Sequence, residues 1–165
     1  MNPRNARPKR VLVVDDEQPF LFGVRKLLET DELLVDIAAG FDEAVNLLRA
    51  RKYGAIVTDI NLRSGCENKT GLHLAALAKG IHPRAFVVLI TGYRPENLVE
   101  TMGTLEFDSY VEKPIDVGKL REKLYRLLGL RASGDSSGRL TGNVSVSTCV
   151  QNTRREEMEE EGGTP

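Results

Sequence analysis

Between residues 11 and 128, hydrophobic and polar positions follow two alternating rhythms. One is a short unbroken apolar run: Val11-Leu12-Val13-Val14, Ala55-Ile56-Val57 and Ala85-Phe86-Val87-Val88-Leu89-Ile90. Such runs suit strands covered on both faces, as in a parallel sheet. Leu34-Val35-Asp36-Ile37 is less uniform and reads as an edge strand, and Tyr110-Val111 lies in a fifth candidate. The other rhythm is helical. Phe20, Val24, Leu27 and Leu28 share one helical face, as do Phe41, Ala44, Leu47 and Leu48. Leu72, Ala75, Ala76 and Leu77 do so less cleanly, and Val117, Leu120, Leu124, Leu127 and Leu128 form the most regular stripe. Asp42 and Asp116 stand where they could start the second and the last helix.

Strands alternating with helices predict a layered α/β fold around a parallel sheet. Counted as five strand–helix units, the pattern fits a flavodoxin-like, doubly wound, five-stranded parallel sheet of order 2-1-3-4-5 with five helices. Sheets of this kind bind ligands beyond the carboxyl ends of their strands, at the switch in strand order.

Composition sets the boundaries. Residues 1–9 read as a basic flexible N-terminus: Arg4, Arg7, Lys9 and Arg10 face no acid within the first ten residues. Residues 10–130 read as the folded domain, and 131–165, rich in Ser, Gly, Thr and Glu, as a disordered tail. Arg154–Glu161 within it reads as a solvated charge run. The formal net charge is −1, which gives no global case for nucleic-acid binding. No stretch approaches roughly 18 apolar residues, so no membrane span is expected, and a cytoplasmic location is the default. Cys66 and Cys149 are far apart and form neither a disulfide framework nor a metal-ligand pair. His73 and His82 likewise lack a ligand partner in the sequence.

Candidate chemistry collects at the strand ends. The first strand runs into Asp15-Asp16-Glu17, the third into Asp59, the fourth into Thr91-Gly92 and the fifth toward Glu112-Lys113-Pro114. Any one of these is commonplace in a turn, but in the expected fold all four meet on one face. Carboxylates, a hydroxyl and an ammonium suit phosphoryl transfer to a carboxylate. Crowded carboxylates favour a hard divalent cation such as Mg²⁺. One carboxylate can then act as nucleophile toward phosphorus, with cations and hydrogen-bond donors balancing the charge on the moving group.

VLVVDDE, TDINL, ITGY and YVEKP, in this order, resemble the motifs of CheY-like response-regulator receiver domains. The resemblance covers residues 10–128, and the 22-residue interval from Thr91 to Lys113 matches the family's usual spacing. It implies a two-component or phosphorelay response regulator rather than an enzyme with an external substrate. Asp59 would be the phosphoacceptor, and Asp15 and Asp16 the acidic metal pair. Asp59 and the backbone carbonyl of Asn61 would complete the Mg²⁺ ligands. Thr91 would be the switch hydroxyl, Lys113 the phosphoryl-binding ammonium and Tyr110 the switch aromatic. The Lys113–Pro114 bond would be cis. A sensor histidine kinase or histidine-phosphotransfer protein would donate the phosphoryl group. With no DNA-binding output domain in view, a downstream protein would read the result, on a surface of the helix before the fifth strand, that strand and the last helix.

The main departure lies after Asp59. Leu62 to Thr70 replaces the family's shorter Met-Pro-containing loop, and Gly71 matches the glycine before the third helix. Asn61 and Tyr93 occupy positions that line the approach of water in the family. Two other readings compete. A haloacid-dehalogenase-type phosphatase needs an Asp-x-Asp pattern after the first strand, where this chain has Asp15-Asp16-Glu17. A receiver-like interaction module that is never phosphorylated would draw its support from the altered loop.

Overall fold

The computed structural model describes residues 7–62, 70–92 and 107–131, all within the first of the two units, 1–132 and 133–165, into which the chain divides. The strands are β1 (Lys9–Val14), β2 (Leu33–Ala38), β3 (Ala55–Asp59), β4 (Phe86–Thr91) and β5 (Ser109–Glu112). The helices are α1 (Gln18–Leu28), α2 (Phe41–Ala50), α3 (Gly71–Ile81) and α4 (Val117–Leu128). The strands pair parallel throughout, in the order β2-β1-β3-β4-β5. The expected sheet is therefore present, with β2 at one edge.

The helix count needs correcting: four helices, not five, are present among the described residues. Five followed from giving every strand its helix, whereas only four intervals carry a helical stripe, and these are the four found. The interval 93–106 lies outside the described residues, as do the loop positions 63–69, Tyr93 and the tail from 132 onward.

Alternate residues of each strand feed two apolar layers. Leu12, Val14, Ile56, Val87 and Leu89 pack with Ala44, Leu48, Leu74 and Ala78 beneath α2 and α3. Val11, Val13, Val57, Val88 and Ile90 pack with Leu21, Val24, Leu28, Leu120 and Leu124 beneath α1 and α4. Both faces are covered, which is why these strands read as continuous runs.

Helix phases were less legible than strands. The buried face of α1 is Leu21, Val24 and Leu28, while Leu27 is 57% exposed. In α3 the buried positions are Gly71, Leu74, Ala75 and Ala78, so only Ala75 of the expected stripe is fully inside. Asp116 does cap α4, accepting from the Lys119 N–H at 3.1 Å. Asp42 does not start α2: Gly40 is the cap, and Asp42 lies in the first turn. Among the described residues no helix is long and apolar enough to cross a membrane.

Candidate functional site

The site is built where the strand ladders run one residue past their ends. The Asp15 N–H donates to Ala38 O at 3.2 Å, and the Lys113 N–H to Thr91 O at 2.8 Å. Beyond Asp59, the Ile60 N–H donates to Ile90 O at 3.0 Å. The backbone thus fixes the bases of these side chains before any contact between them.

Carboxylate oxygens of Asp15, Asp16 and Asp59 lie within 4.8 Å of one another. Asp15 and Asp59 are 1% and 3% exposed, and Thr91 is fully buried at the end of β4. Lys113 Nζ donates to Asp59 Oδ2 at 2.5 Å and stands 3.8 Å from Asp15 Oδ2. Asp59 Oδ1 accepts from the Asn61 N–H at 3.0 Å, and Asp15 Oδ1 from the Glu17 N–H at 2.8 Å. Each of these two buried carboxylates is therefore oriented by a backbone donor two residues on.

Electrostatics describe a crowded anionic cleft. Burial is the main force raising the Asp15 pKa above the ordinary carboxylate value. The Glu17 N–H and Lys113 oppose it, while the Asp59 and Asp16 charges add to it. For Lys113, burial disfavours the charge, but the Asp59 hydrogen bond and the Asp59 and Asp15 charges outweigh it, so its pKa is raised. Convergent hard oxygens in an anionic cleft are the donor set a small divalent cation takes. The residues present fit such an ion.

Gly71 brings α3 against this cleft. A Cβ there would lie 1.7 Å from Asp59 O and 2.9 Å from Ile60 Cα, so no side chain fits without displacing the end of β3. The Gly71 N–H donates to Ile60 O at 3.1 Å. The expected match of Gly71 to the glycine before the third helix thus has a steric reason. Thr70 caps the helix, accepting from the His73 N–H at 3.4 Å, and its hydroxyl bonds His73 Nδ1 at 2.8 Å.

Of the sequence-predicted residues, Asp15, Asp16, Asp59 and Lys113 converge, and Thr91 and Asn61 flank them by register. Tyr110 is half-buried and set back from the carboxylates, packed against the layer beneath α2 and α3. The Lys113–Pro114 bond is cis, as expected. Contacts the sequence did not announce are the backbone donors of Glu17 and Asn61 and the lysine Lys123 beside Tyr110. Its spacing in α4 looks like that of any surface lysine.

With this geometry in place, comparison with known proteins gives the class. Residues 11–125 match the response regulator receiver domain family, and the chain belongs to it. The chain is 31% identical over 128 residues to the response regulator protein PilR of Pseudomonas aeruginosa, covering 74% of this chain and 27% of PilR. It thus spans about a quarter of that relative's length. A response regulator from Burkholderia pseudomallei, solved with a phosphorylated aspartic acid, calcium ion and citrate, is 30% identical with a TM-score of 0.60, covering 72% of this chain and 66% of that one. The response regulator TrrA of Thermotoga maritima, solved with Mg²⁺ and beryllofluoride, is 26% identical with a TM-score of 0.61. The match covers 72% of this chain and 98% of TrrA. Residues 11–125 therefore form a receiver domain of the two-component type, with an acidic cluster consistent with a phosphoaccepting aspartate site.

Proposed function

We propose that Asp59 is the phosphoacceptor and that the donor is a phosphohistidine on a sensor kinase or histidine-phosphotransfer protein. One observation carries this reading: the only lysine ammonium placed on Asp59 among the described contacts, Lys113, also faces Asp15, inside a cluster of three carboxylates. An Asp59 carboxylate oxygen attacks phosphorus, the P–N bond to the donor histidine breaks, and an acyl phosphate forms. The released imidazole keeps the electron pair of that bond. Asp15, Asp16, Asp59 and the Asn61 carbonyl would hold Mg²⁺, which would neutralise charge on the transferring group. Lys113 shifts its ammonium from the carboxylate to the new phosphoryl oxygens, and the Thr91 hydroxyl donates to them. Tyr110 responds as the switch aromatic, biasing a two-state equilibrium that a downstream protein reads. The domain is assigned to residues 10–130, acting in the cytoplasm.

Intact mass after incubation with Mg²⁺ and acetyl phosphate tests this directly. One added phosphoryl group is expected, lost in Asp59→Asn and without metal. A folded chain that gains nothing, even at short times, would favour the receiver-like module that is never phosphorylated.

A further inference from the structure

α4 carries a lysine whose ammonium is directed onto the sheet rather than into solvent. Lys123 Nζ donates to Tyr110 O at 2.6 Å and to Ser109 Oγ at 2.8 Å, and lies 5.7 Å from the Tyr110 ring centroid. That is within the range at which a cation is attracted to an aromatic face. β5 ends the sheet, so among the described residues no further strand supplies donors to its backbone. Lys123 supplies one, and from the same ammonium engages the ring of the same residue. The position works against a lysine's charge: burial first, and Arg126 second, lower its pKa. An ammonium that merely needed water would gain by turning outward on its flexible stem.

We propose that Lys123 is the positioning residue that couples Tyr110 to the last helix, holding ring and backbone of Tyr110 in the resting chain. This rests on the reading of Tyr110 as the switch aromatic. Movement of the ring breaks the cation–ring contact, so the surface of α4 and the state of Asp59 become linked through one side chain. Because Lys123 favours the resting arrangement, its loss should make switching easier.

Full-length wild type, Lys123→Met and Lys123→Arg, each with ring-labelled tyrosine, would be followed by NMR during titration with Mg²⁺ and beryllofluoride. Tyr110→Phe assigns the ring signal, and fluorine spectra report loading at Asp59. In Lys123→Met, the Tyr110 ring and the 109–111 amides should shift before any beryllofluoride is added. Half-response at the ring should need roughly two- to five-fold less beryllofluoride than in wild type. Lys123→Arg should lie between the two, and it carries the test alone if the Met variant melts. Superimposable Tyr110 signals and half-response in variant and wild type would overturn the proposal. A wild-type ring that stays still while fluorine shows Asp59 loaded would overturn the switch reading, and the coupling with it.

Discussion

Asp36, on edge strand β2, meets two guanidiniums and a phenol: Arg51 at 2.8 Å, Arg10 at 2.9 Å and the Tyr53 hydroxyl at 2.8 Å. Asp59, at the end of central β3, shares one ammonium with Asp15 and has a third carboxylate close by. Both carboxylates are largely removed from water, yet their surroundings run in opposite directions. At Asp36, burial raises the pKa, but the hydrogen bonds from Arg51, Tyr53 and Arg10 outweigh it and the pKa is lowered. Tyr53 is held well above its ordinary value, by burial first and by the Asp36 bond and charge next. At the cleft, Asp15 moves up. An ion cluster in which cations surround one carboxylate and a cleft that gathers three carboxylates thus stand in one sheet, told apart by the balance of charge rather than by burial.

The most damaging way to break this contrast is to remove the shared ammonium. Lys113→Met should slow phosphorylation of Asp59 by about 10²–10³-fold, the scale of a lost charge-stabilising donor. Rates of adduct formation from acetyl phosphate at saturating Mg²⁺ would measure it. Next comes Gly71→Ala, which puts a methyl into Asp59 O and should cost about 2–3 kcal/mol in urea unfolding. An unchanged midpoint would mean that α3 can retreat from the strand end.

Two matched substitutions then sharpen the comparison by sign. Asp36→Asn should destabilise the fold by about 1–2 kcal/mol, a figure already reduced for the half-exposed arginines. Because the folded pKa of Asp36 is depressed, that contribution is full above the unfolded value of 3.8 and disappears as pH falls through the folded value. Asp15→Asn should do the reverse without metal, raising Tm by roughly 2–4 °C as a buried charge is removed. With its folded pKa raised, Asp15 lowers stability as pH rises from 3.8 through the folded value. The same substitution should weaken Mg²⁺ binding, seen by calorimetry. If both variants shift Tm the same way, the distinction between the two clusters fails.

How far the sequence carried depended on how local each signal was. β1, β3 and β4 were legible because burial on both faces writes an unbroken run. The site was legible in outline because Asp15 and Asp16 directly follow one such run and Asp59 closes another after Thr58. The Asp36 cluster was not, since its partners lie 26, 15 and 17 residues away and only the parallel register brings them together. In α1, Val24 and Leu28 are buried and Phe20 packs against the same layer, whereas Leu27, which matches the period as well as Leu21 does, faces out, and only the fit to the sheet decides. The cap of α2 went to Gly40, which no side-chain rule would have chosen over Asp42. The fifth helix was inferred from symmetry of units and not from a stripe, and it is the one count that needed correction.

The close approach of Gly71 to Asp59 O has a consequence for how this chain can be altered. Buried Leu62 and the capped, strand-bonded start of α3 flank positions 63–69, which lie outside the described residues. The Asn61 N–H bond to Asp59 Oδ1 and the Gly71 N–H bond to Ile60 O tie both flanks to the same strand end. Lengthening a flexible connection between two tethered ends is cheap, about 0.6 kcal/mol for each doubling. An insertion between residues 62 and 70 is therefore expected to leave the end of β3, and Asp59 with it, in place.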